Sequence, residues 1–334
     1  MSEKVLIIQT GFLGDAVLAT SLFKSLKQLD IEIGFLIKSQ FSEVFKNHSA
    51  ISMLHLIDKN DKNSNRKLIE ELKKNNYNKA IIPHRSFRSS YLAFASKIPI
   101  RSGFRQSAGN LLLNNKVEYN LYTHEILRNN LLFEKLYGKN IISNNSLKIW
   151  LEADKSVLKN LEISIDNKPI ICVAPGSVWE TKRWHVNGFI ETVNKLIERG
   201  YYVCLIGSPQ EQDICRLIIS NIKKNNSEYC KNFAGKISLR ETIALISISK
   251  RLLTNDSAPL HIAEGLGIPC TSIFGATVPE FGFAPISPNS NVVQIENLKC
   301  RPCSIHGDHK CPIKTFNCMI DINSEMVLNK IFHK

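Results

Sequence analysis

The sequence predicts an α/β fold of two domains, each a parallel sheet covered by helices, and three observations carry that prediction. Apolar runs of strand length alternate with stretches whose apolar residues recur at helical spacing. The alternation weakens over 138–168 and then restarts, dividing 334 residues into two stretches of ordinary domain size, expected as 1–160 and 161–334. In both stretches glycines and polar residues follow directly on strand-like runs, where open parallel sheets bind ligands.

In order along the chain, "KVLIIQT" (4–10) is a buried strand, and 16–29 reads as one helix with Val17, Leu18, Leu22, Leu26 and Leu29 on a single face. "IEIGFLI" and "KAIIPH" are further strands. The turn-rich "GKNIISNNS" and "SIDNKP" mark the break. The second stretch opens with the strand "PIICVAPGS" (169–177) and a helix from Val186 to Arg199 that Gly200 stops, followed by the strand "YYVCLIGS" and a helix over 209–223. A capping box from Ser238 to Glu241 opens the next helix, and "RLLTN", the helical "APLHIAEGLG" and the strand "PCTSIFG" complete the series.

Lys plus Arg outnumber Asp plus Glu by 43 to 30, a net charge of +13 that favours an acidic partner: nucleic acid, an anionic membrane surface or a phosphorylated substrate. No apolar run approaches the roughly 18 residues of a membrane span, and the acidic, quickly strand-forming N-terminus does not read as a secretory signal. A cytoplasmic protein is expected. Of nine cysteines, Cys172, Cys204, Cys215, Cys230 and Cys270 are scattered through apolar runs and read as small core residues.

"QTGFLGDAV" (9–17) lies where a phosphate loop would sit, yet it is not one. It has two glycines, Gly11 and Gly14, where a dinucleotide fingerprint needs three, the next strand ends in Lys38 rather than an acid, and no Walker lysine follows. What remains is Asp15 on a tight turn at a helix N-terminus, with Gly14 allowing close backbone approach. An ionised carboxylate there suits a general base acting on a hydroxyl; a helix cap is the equal alternative.

"APGSVWETKRWH" (174–185) presents Gly176, Ser177, Thr181, Lys182 and Arg183 between a strand and a helix, with small residues and a lysine suited to a diphosphate. Trp179 and Trp184 predict a loop of fixed shape. In "LTNDSAPLHIAEGLGIP" (253–269), Asp256, Ser257 and Ala258 stand at a strand end and helix start, with Asp256 suited to sugar hydroxyls. His261, one turn on, reads by itself as a packed core histidine. Glu211 in "LIGSPQEQD" reads either as a ribose acceptor or as an acid of a first helical turn.

Together "KVLIIQTGFLGDAVLATSLFKSLKQ", "APGSVWETKRWHVNGFIETVNKLIERGYYVCLIGSPQEQ" and "LTNDSAPLHIAEGLGIPCTSIFGATVPEFG" resemble glycosyltransferase family 9, the heptosyltransferases of the lipopolysaccharide inner core. The resemblance implies a GT-B architecture, two facing Rossmann-like domains with a cleft between them, acceptor on the first and sugar nucleotide on the second. It implies an inverting, single-displacement transfer from ADP-heptose to a lipid A–Kdo/heptose core, without a metal cofactor in catalysis and on the cytoplasmic face of the inner membrane. It makes Asp15 the base, puts Lys182 on the donor phosphates and Glu211 at the adenosine ribose, and sets Asp256 and His261 beside the heptose and diphosphate. The family often has proline where this chain has Ser21 and glycine where it has Ala258.

"PHRSFRSSYLAFASKIPIRSGFR" (83–105) supplies Arg85, Arg88 and Arg105, with His84, Lys97 and Arg101, as an acceptor-binding or membrane-facing basic segment. Cys300, Cys303, Cys311 and Cys318 follow a C-x2-C-x7-C-x6-C spacing; a structural zinc, an iron–sulfur centre with His306 or His309 substituting for one thiolate, and free thiols all stay open. Two competing functions remain at this point: transfer from another sugar nucleotide, and a basic, zinc-ribbon nucleic-acid-binding protein.

Overall fold

The computed structural model describes residues 2–61, 63–138, 148–161 and 168–332. The chain divides into two compact units, Met1–Glu152 and Ala153–Lys334. Most of the turn-rich "GKNIISNNS" and "SIDNKP" lies outside the described residues.

The first unit runs β1 (Lys4–Ile8), α1 (Leu13–Ala19), α2 (Ser21–Gln28), β2 (Glu32–Lys38), α3 (Ser42–Phe45), β3 (Ile51–Ile57), α4 (Ser64–Asn75), β4 (Lys79–Ile82), α5 (Phe87–Ala95), β5 (Ile100–Phe104), β6 (Asn115–Val117) and α6 (Glu125–Tyr137). Its six strands pair in the order β3-β2-β1-β4-β5-β6, parallel throughout. The strands are apolar because both faces of the sheet are covered. On one face Leu6, Ile8, Leu36, Ile57 and Ile82 pack against Leu68 and Leu72 of α4 and Leu92 of α5.

The second unit runs β7 (Ile170–Ala174), α7 (Val186–Glu198), β8 (Tyr202–Leu205), α8 (Gln212–Ser220), β9 (Cys230–Asn232), α9 (Leu239–Ser247), β10 (Arg251–Asn255), α10 (Ala258–Gly265), β11 (Cys270–Ile273), β12 (Asn291–Val293), α11 (Asn317–Ile320) and α12 (Ser324–Phe332). Its sheet, β12-β11-β10-β7-β8-β9, repeats the first topology, again wholly parallel. The five scattered cysteines are all buried, as expected of small apolar side chains. Gly200 stops α7 from the left-handed region at φ +87°.

One expectation fails. The stretch 16–29 is not a single helix: α1 and α2 meet at Thr20, whose hydroxyl donates to the Val17 carbonyl at 2.7 Å and accepts the Trp150 N–H at 3.0 Å. A buried threonine that bonds backward and outward in this way breaks the helical ladder, and no apolar periodicity signals it.

In both sheets the order reverses beside the first strand, between β1 and β4 and between β7 and β10. The loops leaving the C-terminal ends of those strands meet there, at the place where open parallel sheets bind ligands.

Candidate active site

In the first unit the chain leaves β1 through a turn held by Gln9, whose side-chain oxygen accepts the Gly11 N–H at 3.1 Å. Asp15 then accepts the Phe12 N–H at 3.1 Å. The capping alternative is therefore realised geometrically, and it holds an Asp15 oxygen in a fixed place at the strand end. Gly11 is the glycine that the turn requires. A Cβ there would fall 2.8 Å from the Asp15 carboxylate, 2.9 Å from the Gln9 oxygen and 3.5 Å from His84. Gly14, expected to allow close backbone approach, is buried in α1.

His84, at the end of β4, stands beside this turn. Its Nδ1 lies 3.1 Å from the Thr10 and Ser89 hydroxyls and 3.2 Å from that of Ser86. Burial first, then Lys59, Lys38 and Arg85, push the imidazole down to about 4. The ring is neutral at physiological pH.

The arginines of the basic segment do different things. The Arg85 guanidinium stacks on Tyr119 at 3.8 Å, with Arg128 over the same ring at 4.5 Å. Arg88 sits on the first turn of α5, half-buried. Arg105, expected among the acceptor contacts, is ion-paired with Glu118 at 2.8 Å. Arg101 is structural and donates to the carbonyls of Leu112 and Ile98.

In the second unit Lys182 and Asp256, from the loops after β7 and β10, form an ion pair of 2.7 Å that is nearly buried on both sides. The same Asp256 oxygen accepts the Thr277 hydroxyl at 2.6 Å. Asn255, part of the polar cluster at the strand end but assigned no role from sequence, locks the two loops together. Its amide donates to the carbonyls of Pro175 at 2.8 Å and Gly176 at 3.1 Å, and its oxygen accepts the Trp184 N–H at 3.1 Å. A buried Asn at a strand end was the available signal.

Trp184 is fully buried, with its indole N–H on the Ile322 carbonyl at 2.9 Å, and Gly188 leaves room for its ring. The fixed loop shape expected from the tryptophans is present. Ser177 is buried, its carbonyl taken by Arg183 at 2.7 Å. Glu211 is the acid of a helical first turn, accepting the Ser208 N–H at 2.7 Å. It also covers Gly176, where a Cβ would lie 1.9 Å from its carboxylate. Ser257 precedes α10 without capping it, Ala258 begins it, and His261 is buried one turn along, its ring 6.4 Å from that of Phe283.

Thr181 departs from expectation. It is buried, its hydroxyl bonds both the carbonyl and the N–H of Asp308, at 3.0 and 2.8 Å, and its own N–H is given to the same carbonyl. It anchors the loop instead of facing a ligand. The segment it grips is the cysteine-rich one. Trp179 packs on His309, Cys303 donates its N–H to Ala276, and Arg301 donates to the Thr277 carbonyl at 2.8 Å. Residues 301–309 thus brace both Lys182 and Asp256.

The four clustered cysteines lie within electrostatic reach of one another. Among the described residues no three His, Cys, Asp or Glu side chains are arranged to hold a metal ion, and all nine thiols are free. Cys318 is packed into the apolar core and burial pushes its thiol up to about 11; the Cys303 thiol donates a hydrogen bond to the Cys300 carbonyl. Burial also works upward on Cys311, but the backbone N–H groups of Phe316, Ile313, Thr315 and Lys314 outweigh it and hold the thiol below its ordinary range.

Two Rossmann-type sheets, each presenting polar strand ends at its switch point, are the two halves of a GT-B fold. The solved structure of Escherichia coli ADP-heptose lipopolysaccharide heptosyltransferase II shares this fold, with a TM-score of 0.82 at 23% identity over 98% of this chain and 97% of that one. Residues 65–313 match glycosyltransferase family 9 (heptosyltransferase), and the chain belongs to that family. Lipooligosaccharide heptosyltransferase 2 of Haemophilus influenzae is 27% identical over 98% of each chain. Lipopolysaccharide heptosyltransferase 2 of E. coli K12 is 26% identical over 87% of this chain and 88% of the relative. The protein is a glycosyltransferase, and the nucleic-acid-binding alternative is not favoured.

Proposed function

We propose that the protein transfers heptose from ADP-heptose to the inner core of lipopolysaccharide, with a lipid A–Kdo/heptose saccharide as acceptor. The observation that carries this reading is the Lys182–Asp256 pair at the switch point of the second sheet. It is a cation already oriented beside the first turn of α10, where a departing diphosphate would find both a positive side chain and a helix N-terminus.

In the proposed step Asp15 takes the proton of the acceptor hydroxyl, the oxygen attacks the anomeric carbon, and the bond to ADP breaks with its electron pair leaving on the diphosphate. Lys182 offsets that charge, Asp256 turns to sugar hydroxyls and Glu211 accepts the ribose. The configuration inverts. The step requires no metal, because proton and charge both have acceptors on the chain.

No helix among the described residues is long and apolar enough to cross a membrane. We propose a peripheral position on the cytoplasmic face of the inner membrane. Phe87, Tyr91 and Phe94 recur at helical spacing on α5 and are exposed, Leu111 beside them is 90% exposed, and Arg88 and Lys97 border them. Aromatic side chains flanked by cations suit an anionic leaflet.

The test is turnover of purified protein with ADP-heptose, against other sugar nucleotides, on a panel of truncated lipid-linked cores. Asp15→Asn is expected to lower kcat by about 10²–10⁴-fold at unchanged melting temperature. Turnover by that variant within a few-fold of wild type, or preference for another nucleotide sugar, overturns the assignment.

A further inference from the structure

The turn that places Asp15 has a second polar side chain beside it, and the step described above does not use it. His84 follows β4 by two residues, and its ring is wedged between the end of β1 and the first turn of α5. Thr10 comes from the one, Ser86 and Ser89 from the other, and their hydroxyls lie 3.1, 3.2 and 3.1 Å from Nδ1. They also bond among themselves, Ser86 donating to Ser89 at 3.1 Å and Thr10 standing 3.3 Å from Ser89.

Three hydroxyls crowded on one ring nitrogen make Nδ1 an acceptor, since each brings a proton that needs a lone pair. Burial and the charges of Lys59, Lys38 and Arg85 keep the ring neutral. A neutral imidazole that accepts at Nδ1 carries its proton on Nε2. No group among the described residues bonds that second nitrogen. Thr10 and Ser89 are fully buried behind Nδ1, whereas His84 itself is half-buried, which leaves the Nε2 edge as the one a ligand can reach.

Gly11 fixes what that edge lies beside. The point where a Cβ would stand is 2.8 Å from an Asp15 carboxylate oxygen and 3.5 Å from Cδ2, the ring carbon bonded to Nε2. A hydroxyl oxygen shared by a carboxylate and an imidazole N–H at ordinary hydrogen-bond lengths holds the two about 5–6 Å apart. Two groups this close to one unfilled Cβ position can share such an oxygen. Charge state matters as much as place. An imidazolium here would pair with Asp15 and lower its basicity, whereas a neutral N–H binds the hydroxyl and leaves its proton to the carboxylate.

We propose that His84 is a further catalytic residue: its Nε2–H donates a hydrogen bond to the acceptor hydroxyl oxygen whose proton Asp15 takes, so that the O–H points to the carboxylate and a lone pair points to the anomeric carbon. His84 neither gains nor loses a proton in the step. The proton moves from the hydroxyl to Asp15, the new bond forms from that oxygen to the anomeric carbon, and the bond to the diphosphate breaks with its electron pair. This rests on the transferase reading for its acceptor, and it adds a neutral donor that governs rate without holding the sugar nucleotide.

Two variants separate the contact from its scaffold. His84→Asn keeps a polar group at the Nδ1 position for the three hydroxyls and loses the outer donor, while His84→Gln carries an amide N–H out toward the Nε2 position. With saturating ADP-heptose and a lipid-linked core, His84→Asn is expected to lower kcat by roughly 10–100-fold and to keep the KM for ADP-heptose within about twofold. His84→Gln should recover to within a few-fold of wild type. Long-range proton–nitrogen NMR spectra of the whole protein at neutral pH should show the Nε2–H tautomer at His84 with no substrate present. An unchanged kcat in His84→Asn, equal losses in both variants, or a proton on Nδ1 overturns the proposal. So does loss of ADP-heptose binding in proportion to kcat, since His84 would then only support the fold of the site. Wild type inert toward ADP-heptose, or Asp15→Asn as fast as wild type, sinks the transferase reading separately. The contact is then judged by calorimetric titration with a de-O-acylated core saccharide, which should bind His84→Asn more weakly than His84→Gln, and equal binding overturns it.

Discussion

His84 shows how one side chain can record the electrostatics of a whole site. Its ring accepts or donates to three hydroxyls through Nδ1, is half-buried, and faces Lys59, Lys38 and Arg85. All of this favours the neutral form, so the folded pKa, about 4, lies below the ordinary value of 6.5. The stabilisation from a neutral His84 is complete above pH 6.5 and is lost as pH falls from 6.5 toward 4, because over that window only the unfolded chain takes the proton. Its full extent is of the order of 3 kcal/mol. Urea unfolding at pH 7.5 and 4.5 should therefore show a steeper acid loss for wild type than for His84→Asn. Lys59→Met should move the His84 ring resonances to a higher titration midpoint; an unmoved midpoint would mean that the lysine charge is not felt there.

At the level of elements, the loop from β7 to α7 is rigid because it is tied at three places. Asn255 holds its carbonyls, Trp184 is sunk in the core, and Thr181 grips Asp308 of the cysteine-rich segment. The middle of that loop carries Lys182. Thr181→Val keeps the shape and removes both hydroxyl bonds, and it is expected to cost about 1–2 kcal/mol of stability. As a positioning residue it should also raise the KM for the donor several-fold while leaving that for the acceptor unchanged, with recovery in Thr181→Ser. A fall in stability without the split between donor and acceptor would confine Thr181 to a purely structural role.

For the whole molecule, the proposed membrane contact draws on a net charge of +13 and an aromatic stripe on α5. Binding to vesicles rich in phosphatidylglycerol should fall steeply with salt, since exposed charges are screened beyond about 10 Å at 0.1 M. Replacing Phe87, Tyr91 and Phe94 with Ser should weaken vesicle binding by at least roughly tenfold, with turnover on a lipid-free acceptor kept. Equal vesicle binding by that triple variant would move the membrane contact elsewhere on the protein.

Legibility followed the range of the interactions. Strand-length apolar runs and helical spacing are local properties of the chain, and they were enough for two parallel sheets, for the turns after β1, β7, β8 and β10, and for Asp15, Lys182 and Asp256 as the residues at those turns. Local pattern was also enough to read the family resemblance. Partnership was not legible, because a contact between distant residues leaves no period behind it. Thr20 breaks a predicted helix by bonding Trp150, 130 residues away, and Thr181 turns from ligand to anchor by meeting Asp308, 127 residues on. Cys318 was counted with three other thiols by spacing, and it also takes a place in the core that no spacing shows. The sequence by itself determined which chemistry stands at the strand ends. Only the tertiary structure decided which of those groups are already spoken for, since burial and long-range hydrogen bonds are made by the folded sheets and not by neighbouring residues.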